Sequence, residues 1–372
     1  MSQIEWDGSY SVGNPEIDEH VSACTVTSKR RFISYNHAVL ELIECAHNDQ
    51  DETGGHLSAM VAVIKWLLLA GCLVIPPAGL AASAHRVDAA ALKEHVRVLS
   101  VTHVPRDSRH PHNLLKAAQY IRQKFASYSR RTRFQTYQVG GSRYHNVIAE
   151  FGPATGPRIV VGAHYDAAIG TPGADDNASG VAVLIELAAL LARQSPGMKV
   201  ELVAYSLEEP PYFRTASMGS YRHAAYLKKQ QAEVKVMLSL EMLGFYRAQR
   251  GSQRYPLGFL RYLYSDTGDF IAVIGKLSQL GIVRKVRKHL AANTRVKVRS
   301  IAAPPGLTGV DFSDHLNYWK FGYRAVMITD TAFYRNPHYH RATDTWNRLD
   351  YKTMAALTSG LHRLVMRLAR PD

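Results

Sequence analysis

The sequence predicts an α/β fold in which a mixed, largely parallel central sheet is sandwiched by helices. Three observations predict it. Four short, nearly continuous apolar runs, RIVVGAH (158–164), KVELVAYS (199–206), KVMLSLEM (235–242) and RAVMITD (324–330), have the composition of strands buried on both faces. Stretches of helical spacing separate them, at 180–193, 217–230, 266–280 and 351–369, the alternation of a layered α/β domain. Each apolar run also leads into a histidine or a carboxylate, and open α/β sheets bind ligands at the carboxyl ends of their strands.

Taken in order, the chain falls into three parts. Residues 1–59 open with IEWDGSYSVGNPEIDEH and later carry HAVLELIECAH (37–47). The first stretch resembles the start of a bacterial hemerythrin domain. That family places a ligand histidine one residue after His20, where this chain has Val21, and the other iron ligands are missing. Residues 1–59 are therefore read as a degenerate, non-functional hemerythrin-like segment, with Met60 as the start of the working chain. Residues 60–84, MVAVIKWLLLAGCLVIPPAGLAASA, combine one lysine, an apolar run and a small-residue ending, the pattern of a signal peptide. LAGC (69–72) also resembles a lipobox. Pro76 and Pro77 interrupt the run, which disfavours a full membrane span. An exported protein, periplasmic or extracellular, is expected, with membrane association through residues 60–84 as the alternative. Residues 86–372 form the third part. AALKEHVRVLS and HNLLKAAQYIRQKFASY read as helices within it.

Composition sets limits. The chain has 372 residues, 46% of them hydrophobic, which supports a packed core. Cys24, Cys45 and Cys72 are the only cysteines, so the third part has neither disulfides nor thiolate ligands. The formal net charge is +14, which favours acidic partners. No zinc-finger or RNA-binding signature accompanies it, so nucleic acid is not an expected partner. The densest basic run, VRKVRKHLAANTRVKVRS (283–300), reads as an exposed helix followed by a strand.

The chemistry is placed by the strand ends. His164 ends the first apolar run, and Asp166 follows it. Glu208 and Glu209 follow the second run, Glu241 ends the third, and Asp330 ends the fourth ahead of NPHYH, which holds His338 and His340. One such residue is an ordinary solvated strand end; four at one sheet edge are a site. Histidine with several carboxylates and no cysteine suits hydrolytic zinc. The number of carboxylates suggests two metals, with PGADDNASG (172–180) supplying a bridging aspartate.

The combination GAHYD, PGADDNASG, EE, E and YH resembles the co-catalytic zinc aminopeptidases of peptidase family M28, over roughly residues 86–372. The resemblance implies the zinc-dependent exopeptidase fold, two zinc ions per chain and peptide substrates cut at the N-terminus. It implies that Asp176 bridges the metals, with Asp175 its neighbour. Glu209 and His340 would hold one zinc, and His164 and Glu241 the other. Glu208 would be the general base, Asp166 would orient His164, and Tyr339 would donate a hydrogen bond to the oxyanion.

Two departures bear on substrate choice. EEPPYFRTASMGS (208–220) is longer than the family's link between EE and GS, and is expected to form an ordered loop beside the metals. Glu241 stands where the family has aspartate. Asp314, in FSDHLNYW (312–319), is expected to cap a helix, with a place in the pocket wall as the alternative. His338 is the alternative to His340 as ligand. Two rival functions are a single-zinc acyltransferase of the glutaminyl cyclase type and a non-catalytic binding module of the same fold.

Overall fold

A computed structural model describes residues 87–370. The segments 1–59 and 60–84, with the hemerythrin-like and export or anchor readings made for them, lie outside the described residues, as do all three cysteines.

Helix α1 (Ala89–Arg97) starts where the Asp88 side chain accepts from the Ala90 N–H at 2.8 Å, and continues as a π turn over Val98–Thr102. Helix α2 (Pro111–Ala126) has proline in its first turn, where the missing N–H costs nothing. Strands β1 (Thr132–Val139) and β2 (Ser142–Phe151) pair antiparallel. Gly140 and Gly141 join them with φ of 55° and 81°, the left-handed conformation that a two-residue hairpin turn requires. There follow β3 (Arg158–His164), α3 (Gly180–Leu191), β4 (Lys199–Tyr205), α4 (Gly219–Lys229) and β5 (Val234–Glu241). A one-turn α5 (Leu260–Leu263) precedes β6 (Phe270–Lys276), α6 (Leu280–Ala291) and β7 (Lys297–Ala303). The short α7 (His315–Lys320), β8 (Ala325–Thr329) and the long α8 (Tyr351–Leu368) complete the chain.

The eight strands form one sheet in the order β1-β2-β4-β3-β5-β8-β6-β7. The inner four, β4, β3, β5 and β8, run parallel. β1 and β2 on one side, and the β8–β6 junction on the other, add antiparallel pairings. The sheet is mixed, with a parallel centre. Alternation along β3 sorts its side chains: Ile159 and Val161 join the core under α1, α2, α3, α6 and α8, while Val160 packs with Ala224 and Leu227 of α4 and Tyr318 of α7. Helices therefore cover both faces, as the apolar runs required. Among the described residues, no helix is long and apolar enough to cross a membrane.

The expected helix at 266–280 is not there: Phe270–Lys276 is strand β6, and only Leu277–Gln279 forms a helical turn before α6. FIAVI holds three β-branched residues and is mostly buried, and it finds a backbone partner in β8. That pairing outweighs a helical pattern in a stretch this short.

Candidate metal centre

Because the inner strands are parallel, their carboxyl ends lie at one edge of the sheet, and this brings the sequence-predicted residues together. His164 is the last residue of β3, Glu208 and Glu209 follow β4, and Glu241 ends β5. Leu207 (φ 61°) after β4 and Met242 (φ 47°) after β5 are left-handed, as is His340 (φ 54°) in the loop beyond β8. These turns aim the neighbouring side chains inward.

Asp176 lies at the centre. Its Oδ1 is 3.3 Å from His164 Nε2, and its Oδ2 is 3.2 Å from His340 Nε2. Glu241 Oε2 lies 3.4 Å from His164 Nε2, and Glu209 Oε2 lies 3.2 Å from His340 Nε2. Two groups with metal-ligand reach result, His164–Asp176–Glu241 and Asp176–Glu209–His340, which share Asp176; a third joins Glu208 to His164 and Glu209. Glu208 Oε2 is 3.9 Å from His164 Nε2. His338 is elsewhere, its Nδ1 2.9 Å from Thr343 Oγ1.

The donor set fits divalent metal. Four carboxylates, Asp176, Glu208, Glu209 and Glu241, are buried together, and Glu209 Oε1 has no hydrogen-bond partner. Burial, reinforced by Asp176, raises Glu209 to about 7. Burial and the neighbouring Glu209 and Glu241 push Glu208 well above the usual range. Burial alone would lower His340, but hydrogen bonds to Asp176 and Glu209 raise it to about 10. Asp176 moves the opposite way: burial would raise it, yet His164 and His340 hold it low. Such a crowd of buried carboxylates is costly without compensating positive charge.

A supporting layer fixes these groups. Asp166 accepts the backbone N–H of Glu208 at 3.2 Å and of Glu209 at 3.0 Å, and its Oδ1 is 3.5 Å from His164 Nδ1. Ser313 donates to Glu241 Oε2 at 2.7 Å. Asp175 is a neighbour, receiving Gly244 N–H and Asn336 Nδ2 at 2.9 and 2.8 Å. The Tyr339 ring stacks on His340 with centroids 3.9 Å apart. Burial and the surrounding carboxylates raise its phenol strongly, so it stays a hydrogen-bond donor.

Sequence reasoning missed three residues here. Asp344 accepts the backbone N–H of Asp175 and of Asp176 at 3.0 and 3.1 Å. Asn177 ties the same loop to the end of β5, donating to Leu240 O at 2.8 Å and accepting from Met242 N–H at 3.1 Å. Arg106 is wholly buried and donates to Tyr165 O at 2.8 Å, Leu99 O at 3.1 Å, and the carbonyls of Pro172 and Gly173. Gly173 takes φ 60°, and a Cβ there would lie 2.3 Å from Asp176 O. Asn177 and Gly173 stand inside PGADDNASG and were legible as part of that motif. Arg106 and Asp344 sit in loops without local signal.

The expected cap is a correction. Asp314 stands at the start of α7, but its side chain makes no capping bond. It is fully buried beside Ser220, and burial raises it to about 7. The charged groups acting on it are His164, Glu241 and Asp166, all at the site. The loop after Glu209 is ordered as expected. Phe213 packs edge-on against Phe312 at 5.7 Å, and Arg214 bonds Asp311 at 2.6 Å. Phe312 in turn lines a pocket that reaches Glu241 and Tyr339 and is walled by Tyr255, Phe270, Ile301, Met327 and Phe333.

Comparison with known proteins places this geometry. The chain is 47% identical over 282 residues to the uncharacterized protein YfbL of Escherichia coli, covering 74% of this chain and 86% of that one. It is 29% identical over 234 residues to leucine aminopeptidase 1 of Emericella nidulans, spanning 58% of this chain and only 54% of the relative. Among solved structures, Legionella pneumophila LapA aminopeptidase superposes with a TM-score of 0.61 at 17% identity, over 88% of this chain and 78% of that one. A Bacteroides thetaiotaomicron glutaminyl cyclase superposes at 0.56 and 17% identity, over 76% and 98%. At such identities the two structures speak for the fold. Residues 146–365 match the family described as Peptidase family M28, a span that contains His164, Asp176, Glu208, Glu209, Glu241 and His340; the chain belongs to that family and is a peptide-bond hydrolase.

Proposed function

We propose that the protein is an exported aminopeptidase holding two zinc ions, with Asp176 between them. The observation that carries this reading is the division of Asp176: Oδ1 faces His164 at 3.3 Å and Oδ2 faces His340 at 3.2 Å. Glu241 would complete the His164 side and Glu209 the His340 side. Bound there, zinc would supply the positive charge that lowers the pKa of a water toward about 7 and attracts a substrate's amine and carbonyl oxygen. Glu208 accepts the proton from the attacking water and returns it to the leaving amine. Tyr339 donates a hydrogen bond to the oxygen that becomes negative. Asp166 orients His164 and both glutamates. The apolar walls of the adjoining cavity suit an uncharged, bulky N-terminal side chain.

Glutaminyl cyclases share the fold, and a single-zinc acyltransferase is the second reading. The two complete donor groups around Asp176 favour the peptidase. The test is zinc analysis together with a series of aminoacyl fluorogenic peptides, with and without chelator. Close to two zincs per chain and chelator-sensitive release of apolar N-terminal residues are expected. One zinc, or cyclisation of N-terminal glutamine without peptide hydrolysis, would overturn the reading.

A further inference from the structure

From Phe270 to Val310 the chain contains eight lysines and arginines and no aspartate or glutamate. The structure gathers this charge on one corner. Helix α6 buries Val283, Val286 and Leu290 against the sheet and leaves Arg284, Lys285, Arg287 and Lys288 exposed. Arg284, Arg287, Lys288 and, from β7, Arg299 line a surface cleft together with Tyr264 and Ser300. The nearby carboxylates are already engaged: Asp269 with Lys297 at 2.5 Å, and Asp266 with Arg250 at 3.7 Å. Helix α8 packs against α6 and carries Arg367 in its last turn.

A second, independent feature adjoins the cleft. The single turn α5 puts Leu260 into the wall of the apolar cavity and turns Phe259, Tyr262 and Leu263 outward, where they are 56%, 76% and 70% exposed. Tyr264, the next residue, is itself a wall of the basic cleft. Leu277 and Leu280, 57% and 38% exposed, stand at the start of α6. Leu280, Arg284 and Arg287 follow at the i, i+4, i+7 spacing of one helix face. Large apolar side chains projecting beside cations that have no ion-pair partner among the described residues have little reason to face bulk water. They match the boundary between anionic headgroups and acyl chains, where aromatic and leucine side chains enter and arginine or lysine meets phosphate.

We propose that this corner, the Phe259–Leu263 turn with the basic face of α6, docks the protein on an anionic lipid bilayer. Charge alone would serve a nucleic acid equally well; the projecting Phe259, Tyr262 and Leu263 favour lipid. Docking would hold the catalytic domain at the bilayer surface whether or not residues 60–84 are retained.

The test is sedimentation of the full chain with vesicles of phosphatidylcholine alone or mixed with phosphatidylglycerol. Two variants are compared, Arg284→Glu/Arg287→Glu/Lys288→Glu and Phe259→Ser/Tyr262→Ser/Leu263→Ser. Binding through residues 60–84 would be common to all of them. Preference for phosphatidylglycerol vesicles is expected, falling about 100-fold on charge reversal and about 10-fold or more with the serine variant. Hydrolysis of a soluble peptide should be unchanged in both, which separates this proposal from the proposed activity. Equal sedimentation of all three proteins, or binding to single-stranded oligonucleotide in place of vesicles, would overturn it.

Discussion

The backbone N–H of Glu209 donates to Asp166 Oδ2 at 3.0 Å, so a carboxylate from the end of β3 fixes the main chain at the end of β4. The other oxygen takes Glu208 N–H and faces His164 Nδ1. Replacing Asp166 by alanine frees three groups of the site at once. Zinc affinity is expected to fall by about 10–100-fold, measured by competition with a chromogenic chelator. Unchanged affinity would assign Asp166 a purely structural role.

Glu208 and Glu209 are adjacent, but their expected behaviour differs. Glu208→Gln keeps the side chain's size and removes the base. Zinc content should stay near the parent level while kcat falls by about 10²–10⁴. Glu209→Gln removes a charged donor from the His340 group and should reduce zinc retention as well as rate. Metal analysis beside steady-state kinetics on both variants decides between base and ligand. Loss of zinc from Glu208→Gln comparable to that from Glu209→Gln would overturn the division.

Arg106 holds four carbonyl oxygens from three segments of chain. Arg106→Met fills similar space and leaves those carbonyls without donors. A loss of about 3–5 kcal/mol in unfolding free energy is expected, read by urea titration. Zinc binding should weaken with it, because Gly173 precedes the Asp176 loop. A loss below about 1 kcal/mol would mean that water replaces the guanidinium.

Asp344 carries a pH dependence. Burial first, and Asp175 beside it, raise its carboxyl from 3.8 to about 7. A raised folded value means that the protonated form favours folding. Its contribution is complete below about pH 4 and is lost as the pH rises through about 7. In metal-free protein, stability should decline over that interval. Asp344→Asn should make the decline shallower by up to about 1.4 kcal/mol per pH unit, measured by denaturant titration at several pH values. Parallel declines in the two proteins would refute the assignment.

The centre of the fold was legible for a simple reason. β3, β4, β5 and β8 are buried on both faces, so their sequences are almost purely apolar until the residue that turns toward the site. His164 and Glu241 mark those ends directly. The periphery carried weaker signals. β1 alternates exposed and partly exposed residues and gives no clear apolar run, and β6 has a helical pattern that its pairing with β8 overrides. The site's supporting residues were harder still. Asp344 and Arg106 act on backbone atoms of a loop distant in sequence, and no local spacing records such a contact. Asp314 marks the start of α7 in the sequence, but position before a helix does not decide between a capping carboxylate and one in the pocket wall, and its side chain makes no capping bond.

The left-handed turns at Leu207, Met242 and His340 have a consequence for how this protein can change. Each holds a side-chain-bearing residue in a conformation that costs about 1–3 kcal/mol, and each lies within one residue of a group in the site or belongs to it. Glycine at Leu207 or Met242 would relieve that strain while loosening the aim of Glu208 or Glu241. Heat tolerance and catalytic alignment therefore pull these positions in opposite directions. A lineage adapting to higher temperature has reason to leave them alone and to gain its stability in the surface helices instead.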